Sequence, residues 1–84
     1  MIVFHDSAFA EYRQWSEEDM KIFGKINKLI TEIARDPFHG TGKPEPLTGN
    51  LSGHWSRRIT EEHRLVYKVS PDHIVIVSCK YHYK

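Results

Sequence analysis

Apolar residues recur with one spacing in the first half of the 84-residue chain and with another in the second half. In the first half, apolar residues return every three or four positions over residues 9–15 and again over residues 20–33. This spacing lines apolar side chains along one face of a helix. The pattern therefore predicts two consecutive amphipathic helices.

Polar residues mark the ends of these helices. A short apolar run at residues 2–5 predicts a first strand, and Asp6-Ser7 after it is a helix N-cap signal. Ser16 and Asp19 form a predicted capping pair for the second helix, which Asp36-Pro37 ends.

The second half carries a long loop and then alternating residues. Residues 38–53 hold four glycines and two prolines without an apolar period, which indicates a loop, and loops of this length in small domains are usually functional. Residues 54–60, 64–69 and 73–80 alternate between apolar and polar positions. They predict three strands in an antiparallel meander.

The predicted fold class is α+β, in a single domain spanning residues 1–84. An antiparallel sheet, made of the N-terminal strand and the meander, carries both helices on one face. The alternation directs these side chains toward the helices: Trp55, Ile59, Leu65, Tyr67, Val69, Val75, Val77 and Cys79. The other face is predicted to be bare and cationic, with Ser56, Arg58, Arg64, Lys68, Lys80 and His82. Arg57 is out of step with this set, and we expect it to reach the edge of the sheet.

Charge is distributed unevenly along the chain. Residues 1–42 hold five basic and seven acidic side chains, and residues 43–84 hold seven and four, so the halves carry formal charges of −2 and +3. A basic surface favours an anionic partner such as RNA, although a solvated charged face is the alternative. The longest aliphatic run, residues 74–77, is too short for a membrane span, and the chain starts without a leader pattern. We expect a cytoplasmic protein without membrane contact.

Three side chains in the basic half match the needs of RNA cleavage without a metal. The reaction needs a base for the 2′-hydroxyl, a cation for the phosphorane and an acid for the 5′-oxygen. Glu45, held between two prolines, Arg64 on a strand and His82 near the end can take these roles. The alternatives are a solvated loop glutamate, a surface arginine paired with Glu61 or Glu62, and a solvated terminal histidine.

Aromatic rings beside these cations can stack on unpaired bases, and Trp55, Phe38 and Tyr83 are candidates. For Trp55 the alternative is core filling. Cys79 and His82 have a C-x-x-H spacing but lack a second ligand pair. We therefore predict neither a metal site nor a cofactor.

Several motifs together closely resemble the YoeB toxins of bacterial toxin–antitoxin systems, nearly from end to end. The segments that carry the resemblance are KINKLI (residues 25–30), Pro37-Phe38, GKPEPL (residues 42–47), NLSG (residues 50–53), WSRRITEEHRLVY (residues 55–67) and Tyr81-His82-Tyr83. The sequence departs from the family's pattern at Thr48, where relatives often have lysine, and in having Lys84 after Tyr83.

The resemblance implies a RelE-like fold and a ribosome-dependent endoribonuclease that cuts messenger RNA in the ribosomal A site. The implied products are a 2′,3′-cyclic phosphate and a 5′-hydroxyl. By the family's pattern, Glu45 is the general base, Arg64 stabilises the phosphorane, His82 is the general acid and Tyr83 orients the scissile nucleotide. The implied RNA contacts are Lys43 and Arg58, to which we add Arg57 and Trp55 as candidates.

The implied partners are a YefM-like antitoxin, the 70S ribosome with its messenger RNA, and a second copy of the chain in a homodimer. Operator DNA is bound only through the antitoxin complex. Two alternatives to the nuclease stay open. One is a noncatalytic toxin of the RelE/ParE superfamily, and the other is a module that binds RNA or a partner without cutting it.

Overall fold

The structure, a computed structural model, describes residues 1–81; His82, Tyr83 and Lys84 lie outside the described residues. Two helices and five strands follow one another as β1 (Ile2–Phe4), α1 (Asp6–Glu18), α2 (Met20–Arg35), β2 (Glu45–Pro46), β3 (His54–Arg58), β4 (Arg64–Val69) and β5 (Ile74–Ser78). Within residues 1–81, neither helix combines the length and apolar character needed to cross a membrane.

The five strands form one sheet in the order β1-β5-β4-β3-β2. The predicted α+β class and the antiparallel meander of β3, β4 and β5 are confirmed. β1 lies parallel to β5, with Ile2 opposite Ile74, so the sheet is mixed rather than antiparallel throughout. The parallel pairing is possible because the whole of the chain between the two strands acts as the crossover connection.

Both helices cover one face of the sheet, as predicted, and the core lies between the helices and the sheet. Its buried members are Ala8, Trp15, Ile26, Leu29, Ile33, Ile59, Leu65, Tyr67, Ile74, Ile76 and Cys79. The three buried positions on α2 are spaced three and four residues apart, so they form a single apolar stripe.

The start of α2 differs in detail from the predicted capping pair. Asp19 is the N-cap, and its Oδ1 accepts hydrogen bonds from the backbone amides of Lys21 at 3.0 Å and Ile22 at 3.1 Å. The Ser16 hydroxyl donates instead to the Arg13 carbonyl inside α1. Asp19 alone therefore caps α2.

The predicted inward positions of β5 are wrong for Val75 and Val77. Ile74 and Ile76 are the buried residues, and the two valines are only half-buried. Isoleucine at positions 74 and 76 therefore fills the core beneath β5, and the alternation was assigned one residue out of step.

A β-bulge explains why Cys79 is nevertheless directed inward. Val66 lies opposite Ser78 whereas Tyr67 lies opposite Ile76, which leaves Val77 as an extra residue on β5. Beyond the bulge the facing of the chain shifts by one residue, and Cys79 is fully buried. Burial raises the pKa of its thiol to about 12, so Cys79 is an inert core residue at neutral pH.

Residues 38–53 contain more structure than the predicted loop. β2 pairs with β3, with Glu45 opposite Ser56 and Pro46 opposite Trp55, and a short 3₁₀ turn follows at Gly49–Leu51. Two prolines are tolerated here because β2 is an edge strand, where a missing N–H leaves no ladder hydrogen bond unmade. The pairing fixes Glu45 to the sheet.

Candidate active site

Three of the predicted site residues share the sheet face that is turned away from the helices. Glu45 lies opposite Ser56 across the β2–β3 pair, and Arg58 lies opposite Arg64 across the β3–β4 pair. Residues that pair across an antiparallel sheet point to the same side, and so do residues two apart on one strand. Glu45, Arg58 and Arg64 therefore point to the same side.

The spacing of strands sets how far apart these side chains start. Arg58 is the diagonal neighbour of Glu45, at about 7–8 Å, and Arg64 is directly opposite Arg58, at about 5 Å. From Glu45 to Arg64 the path crosses two strand spacings and two residues, which is about 12 Å between Cα atoms. Standard sheet spacing therefore puts the Cα atoms of the three residues within about 12 Å of one another on this face.

The centre of this face is closed, although we predicted a bare surface. Ser56 and Val66, which lie side by side in the middle of the sheet, are each 2% exposed. Glu45 and Arg58 are exposed at its margin, and Arg64 is half-buried. Glu45, Arg58 and Arg64 thus lie around a covered centre, and Glu45 makes further interactions of its own.

The guanidinium of Arg64 is held by the turn between β3 and β4. Its Nη1 donates to three backbone carbonyls, those of Thr60 at 2.7 Å, Glu61 at 3.0 Å and His63 at 3.1 Å. Within residues 1–81, the Arg64 side chain donates from this nitrogen only, and it donates to neither the Glu61 nor the Glu62 carboxylate. The alternative of an acidic pair is therefore wrong for the described residues. One nitrogen fixes the orientation of the group, and the planar fork keeps its remaining donors in a set direction.

The chain arrives beside Arg64 at Tyr81, the residue that precedes His82. The amide of Arg64 donates to the Tyr81 carbonyl at 3.1 Å, and the amide of Tyr81 donates to Nδ1 of His63 at 2.8 Å. Tyr81 has φ +61°, a left-handed conformation that a bulky residue adopts only when its surroundings hold it there. β5 itself ends at Ser78, so the predicted strand through residue 80 is two residues too long. His82 and Tyr83 lie outside the described residues.

Lys43 lies at the same end of the sheet. The Gly42 carbonyl accepts a 2.7 Å hydrogen bond from the amide of Arg58, which fixes Lys43 next to Arg58. Gly42 has φ +87°, and a Cβ there would lie 3.0 Å from the Arg58 carbonyl oxygen, so only glycine fits. Lys43 is exposed and is itself left-handed, with φ +51°. Its ammonium group is available to solvent on the margin where Glu45 and Arg58 lie.

Comparison with known proteins shows the family of the chain. Residues 4–83 match the model of a family described as "YoeB-like toxin of bacterial type II toxin-antitoxin system". The chain belongs to this family of toxins. A curated relative named Toxin YoeB, from Streptomyces coelicolor, is 56% identical over 82 residues, which cover 98% of both chains.

Solved structures of YoeB proteins have the same fold. The YoeB dimer from Staphylococcus aureus superposes with a TM-score of 0.90 and 51% identity, covering 98% of this chain and 95% of that one. YoeB in a heterotetrameric YoeB–YefM toxin–antitoxin complex from the same organism superposes with a TM-score of 0.91 and 50% identity. The match covers 99% of this chain and 97% of that one.

In this YoeB-family chain, the predicted RNA contact by Arg57 is wrong. Arg57 points toward the helices rather than to the sheet's edge, and its side chain is fully buried. It makes five hydrogen bonds within residues 1–81, as many as a guanidinium has N–H groups. They run from Nε to the Tyr67 hydroxyl (3.2 Å), from Nη1 to Glu32 Oε1 (3.3 Å) and the Thr41 carbonyl (3.3 Å), and from Nη2 to the carbonyls of Asp36 (2.7 Å) and His39 (3.0 Å).

Arg57 instead organises the segment that leads into β2. It binds backbone carbonyls of residues 36–41, and Gly40 passes so close that a Cβ there would lie 2.7 Å from Nη1. Hydrogen bonds from Thr41, with the Arg57 charge, hold the pKa of the Glu32 carboxyl below its usual value, so Glu32 is ionised opposite the guanidinium. Burial raises the pKa of the Tyr67 hydroxyl, which donates to the Pro37 carbonyl at 2.6 Å. This network anchors the loop from which Lys43 and Glu45 extend.

The structure places Trp55 on the opposite side of the sheet from Arg58. Trp55 lies opposite Tyr67 on the helix-covered side and packs against the core, because strand neighbours alternate faces and Ser56 takes the other side. Its ring lies 5.0 Å from that of Phe38. Trp55 is only half-buried, so its contact with RNA stays a prediction beside the core-filling alternative.

Lys80 also leaves the cationic face to which it was assigned. Its Nζ lies 5.0 Å from the centre of the Trp15 ring and 3.6 Å from Oε2 of Glu18, both on α1. The bulge and the end of β5 change its facing. What the sequence analysis missed is the set of contacts that hold residues 79–81, since hydrogen bonds between a side chain and a distant backbone leave no periodic signal.

Proposed function

We propose that this YoeB-family toxin is a ribosome-dependent endoribonuclease that cuts messenger RNA in the ribosomal A site and thereby inhibits translation. The observation that carries the proposal is the shared facing of Glu45, Arg58 and Arg64, together with the hydrogen bond from Arg64 to Tyr81 immediately before His82. Glu45 and Arg64 thus come from separate segments to one face of the sheet, and the described chain reaches residue 81 beside Arg64.

In the proposed reaction Glu45 accepts the proton of the 2′-hydroxyl, and the 2′-oxygen attacks the adjacent phosphorus. Arg64 donates hydrogen bonds to the phosphorane oxygens, whose added negative charge favours a fixed guanidinium. His82 gives a proton to the 5′-oxygen as its bond to phosphorus breaks. The products are a 2′,3′-cyclic phosphate and a 5′-hydroxyl, and no metal or cofactor takes part.

Binding groups flank this catalytic set. Lys43 and Arg58 are exposed beside Glu45, and we assign them to neighbouring phosphates. Tyr83 is assigned to orient the scissile nucleotide by stacking.

The ribosome supplies what the toxin's open surface lacks. Glu45 and Arg58 are exposed at the margin of a sheet, whereas a cavity of about 610 Å³ opens elsewhere, between β1, the β4–β5 turn and the end of α2. An exposed surface constrains a flexible RNA poorly, and aligning the 2′-oxygen with the leaving 5′-oxygen is a large part of the barrier. A codon that the A site already holds in a fixed conformation lowers this part of the barrier, because the RNA no longer has to be ordered by the toxin.

The family supports further assignments. A YefM-like antitoxin neutralises the toxin, as the name of the S. aureus complex suggests, and operator DNA is bound only through that complex. The toxin forms a homodimer, as its S. aureus counterpart does. Because its substrate is messenger RNA on a translating ribosome, the toxin acts in the cytoplasm.

Primer extension on a translated message tests this proposal. With purified 70S ribosomes, we expect cuts confined to codons in the A site; with the same message alone, we expect cutting to fall to background. Glu45→Gln and His82→Gln serve as inactive controls, and Glu17→Gln, an exposed glutamate on α1, as a matched active one. A message left intact on ribosomes would favour the noncatalytic alternatives, and equal cutting without ribosomes would refute the ribosome dependence.

A further inference from the structure

Residues 79–81, which lead from β5 to His82, are held by side chains from α1 and from the β3–β4 turn. Glu11 Oε1 accepts a hydrogen bond from the Cys79 amide at 2.8 Å, and Trp15 Nε1 donates to the Cys79 carbonyl at 2.8 Å. Two residues later, Nδ1 of His63 accepts the Tyr81 amide at 2.8 Å. We call the side chains of Glu11, Trp15 and His63 the tail clamp.

His63 is the member of the tail clamp that directly precedes Arg64 in the sequence. The residue is 8% exposed, and its ring packs edge-on against Trp15, with 4.8 Å between ring centres. It also lies 5.3 Å from the Tyr81 ring. The Thr60 hydroxyl accepts a hydrogen bond from the His63 amide at 3.1 Å, so the backbone of the turn is fixed as well. A ring confined on these sides has one orientation.

The hydrogen bond to Tyr81 defines the protonation state of this ring. A nitrogen that accepts an N–H must carry a lone pair, so Nδ1 is unprotonated and the proton of the neutral ring is on Nε2. Nε2 faces Glu62 at 3.6 Å, beyond hydrogen-bond distance. Nδ1 is thus used as a fixed acceptor, not as an acid.

The bond matters because Tyr81 is in a conformation that costs energy. A left-handed φ of +61° in a tyrosine is disfavoured and persists only where other contacts enforce it. His63 holds the amide of Tyr81 and Arg64 holds its carbonyl, so both peptide groups around this residue are tied to the start of β4. Without the His63 bond, Tyr81 can relax toward ordinary backbone angles and change the direction in which the next residue leaves.

We propose that His63 is a positioning residue: it holds Tyr81 in its left-handed conformation, and cleavage by the next residue, the proposed general acid His82, depends on that conformation. The inference rests on the proposed nuclease function. His63 itself touches neither RNA nor the reacting atoms. Its contribution should appear in the rate of the chemical step and not in the affinity for the ribosome.

His63→Phe tests the proposal because it keeps a ring against Trp15 and removes the acceptor. On saturating ribosome complexes, we expect single-turnover cleavage to fall about tenfold while the ribosome concentration for half-maximal rate stays unchanged. In the free toxin, we expect hydrogen exchange of the Tyr81 amide, followed by NMR, to quicken about tenfold, the factor that loss of one ordinary hydrogen bond gives. In His63→Asn the Oδ1 atom can take the place of Nδ1. This variant should restore most of the cleavage rate and most of the protection of the Tyr81 amide.

The matched control is His73→Phe in the β4–β5 turn, where a half-buried histidine is paired with Asp72 away from the site. This variant should leave the single-turnover cleavage rate and the exchange rate of the Tyr81 amide at their wild-type values. Wild-type cleavage rates in His63→Phe would overturn the positioning role, as would a slow His63→Asn in which Tyr81 is again protected. If His63→Phe fails to fold, a His63→Asn variant that leaves Tyr81 unprotected yet cuts normally overturns it equally. Absence of cutting by the wild-type protein would instead refute the nuclease function, and the exchange data would still report on the bond.

Discussion

Replacing Arg64 by alanine is expected to slow single-turnover RNA cleavage on the ribosome by about 10²–10³-fold, the usual effect of removing one fixed transition-state donor. The substitution removes a guanidinium that the carbonyls of Thr60, Glu61 and His63 hold in one orientation. The hydrogen bonds to phosphate gain most where negative charge accumulates on the phosphorane. Quench-flow measurement at saturating ribosome complex separates this chemical effect from binding.

Two further variants test whether the effect of Arg64→Ala is specific to the guanidinium at this position. Arg64→Lys keeps the charge but not the planar fork, so we expect cleavage well below the wild-type rate. Arg13→Ala removes an exposed arginine on α1 and should leave cleavage unchanged. Arg64→Ala cutting within threefold of the wild-type protein would rule out phosphorane stabilisation by Arg64, provided that its unfolding transition shows a folded protein.

Replacing Arg57 by methionine is expected to lower the free energy of unfolding by about 3 kcal/mol. The substitution leaves backbone carbonyls of residues 36–41 and the Tyr67 hydroxyl without their buried donor. We take the lower end of the range for a broken buried pair because the Glu32 side chain is 27% exposed and water can replace part of its interaction. Urea unfolding followed by circular dichroism measures the change.

Neighbouring substitutions distinguish this network from charge alone. Arg57→Lys should recover little stability, since one ammonium group cannot reach the dispersed acceptors. Arg58→Met, at the adjacent exposed position, should change the free energy of unfolding by less than about 0.5 kcal/mol. An Arg57→Met protein within 1 kcal/mol of wild type would show that the loop before β2 does not depend on this side chain.

Periodicity was sufficient to predict the helices, the meander and the common face of Arg58 and Arg64. These features follow from local rules, because helix and strand periods place side chains without reference to distant residues. Glu45 was predicted in a loop, and its place on β2 was missed, because a two-residue strand between prolines has too few residues to show alternation.

Tertiary contacts account for the errors. A burial pattern that expects charges outside cannot anticipate Arg57, which is buried only because its hydrogen-bond acceptors come from a loop some twenty residues earlier. The bulge at Val77 shifted the facing of the chain after it, which the alternation of the sequence does not reveal. The tail clamp joins Trp15 to Cys79 across 64 positions, and no local pattern encodes such a bond.

The chemical nature of the fragment ends tests the central claim most directly, because internal attack by the 2′-oxygen leaves ends that hydrolysis by water does not. Messenger RNA cut by the wild-type toxin on ribosomes would be analysed by end-labelling and mass spectrometry. Attack on the phosphodiester with Glu45 as base, Arg64 as cation and His82 as acid predicts a 2′,3′-cyclic phosphate on the upstream fragment. It also predicts a 5′-hydroxyl on the downstream fragment, which a kinase labels without prior phosphatase treatment. A free 3′-hydroxyl with a 5′-phosphate would contradict the account.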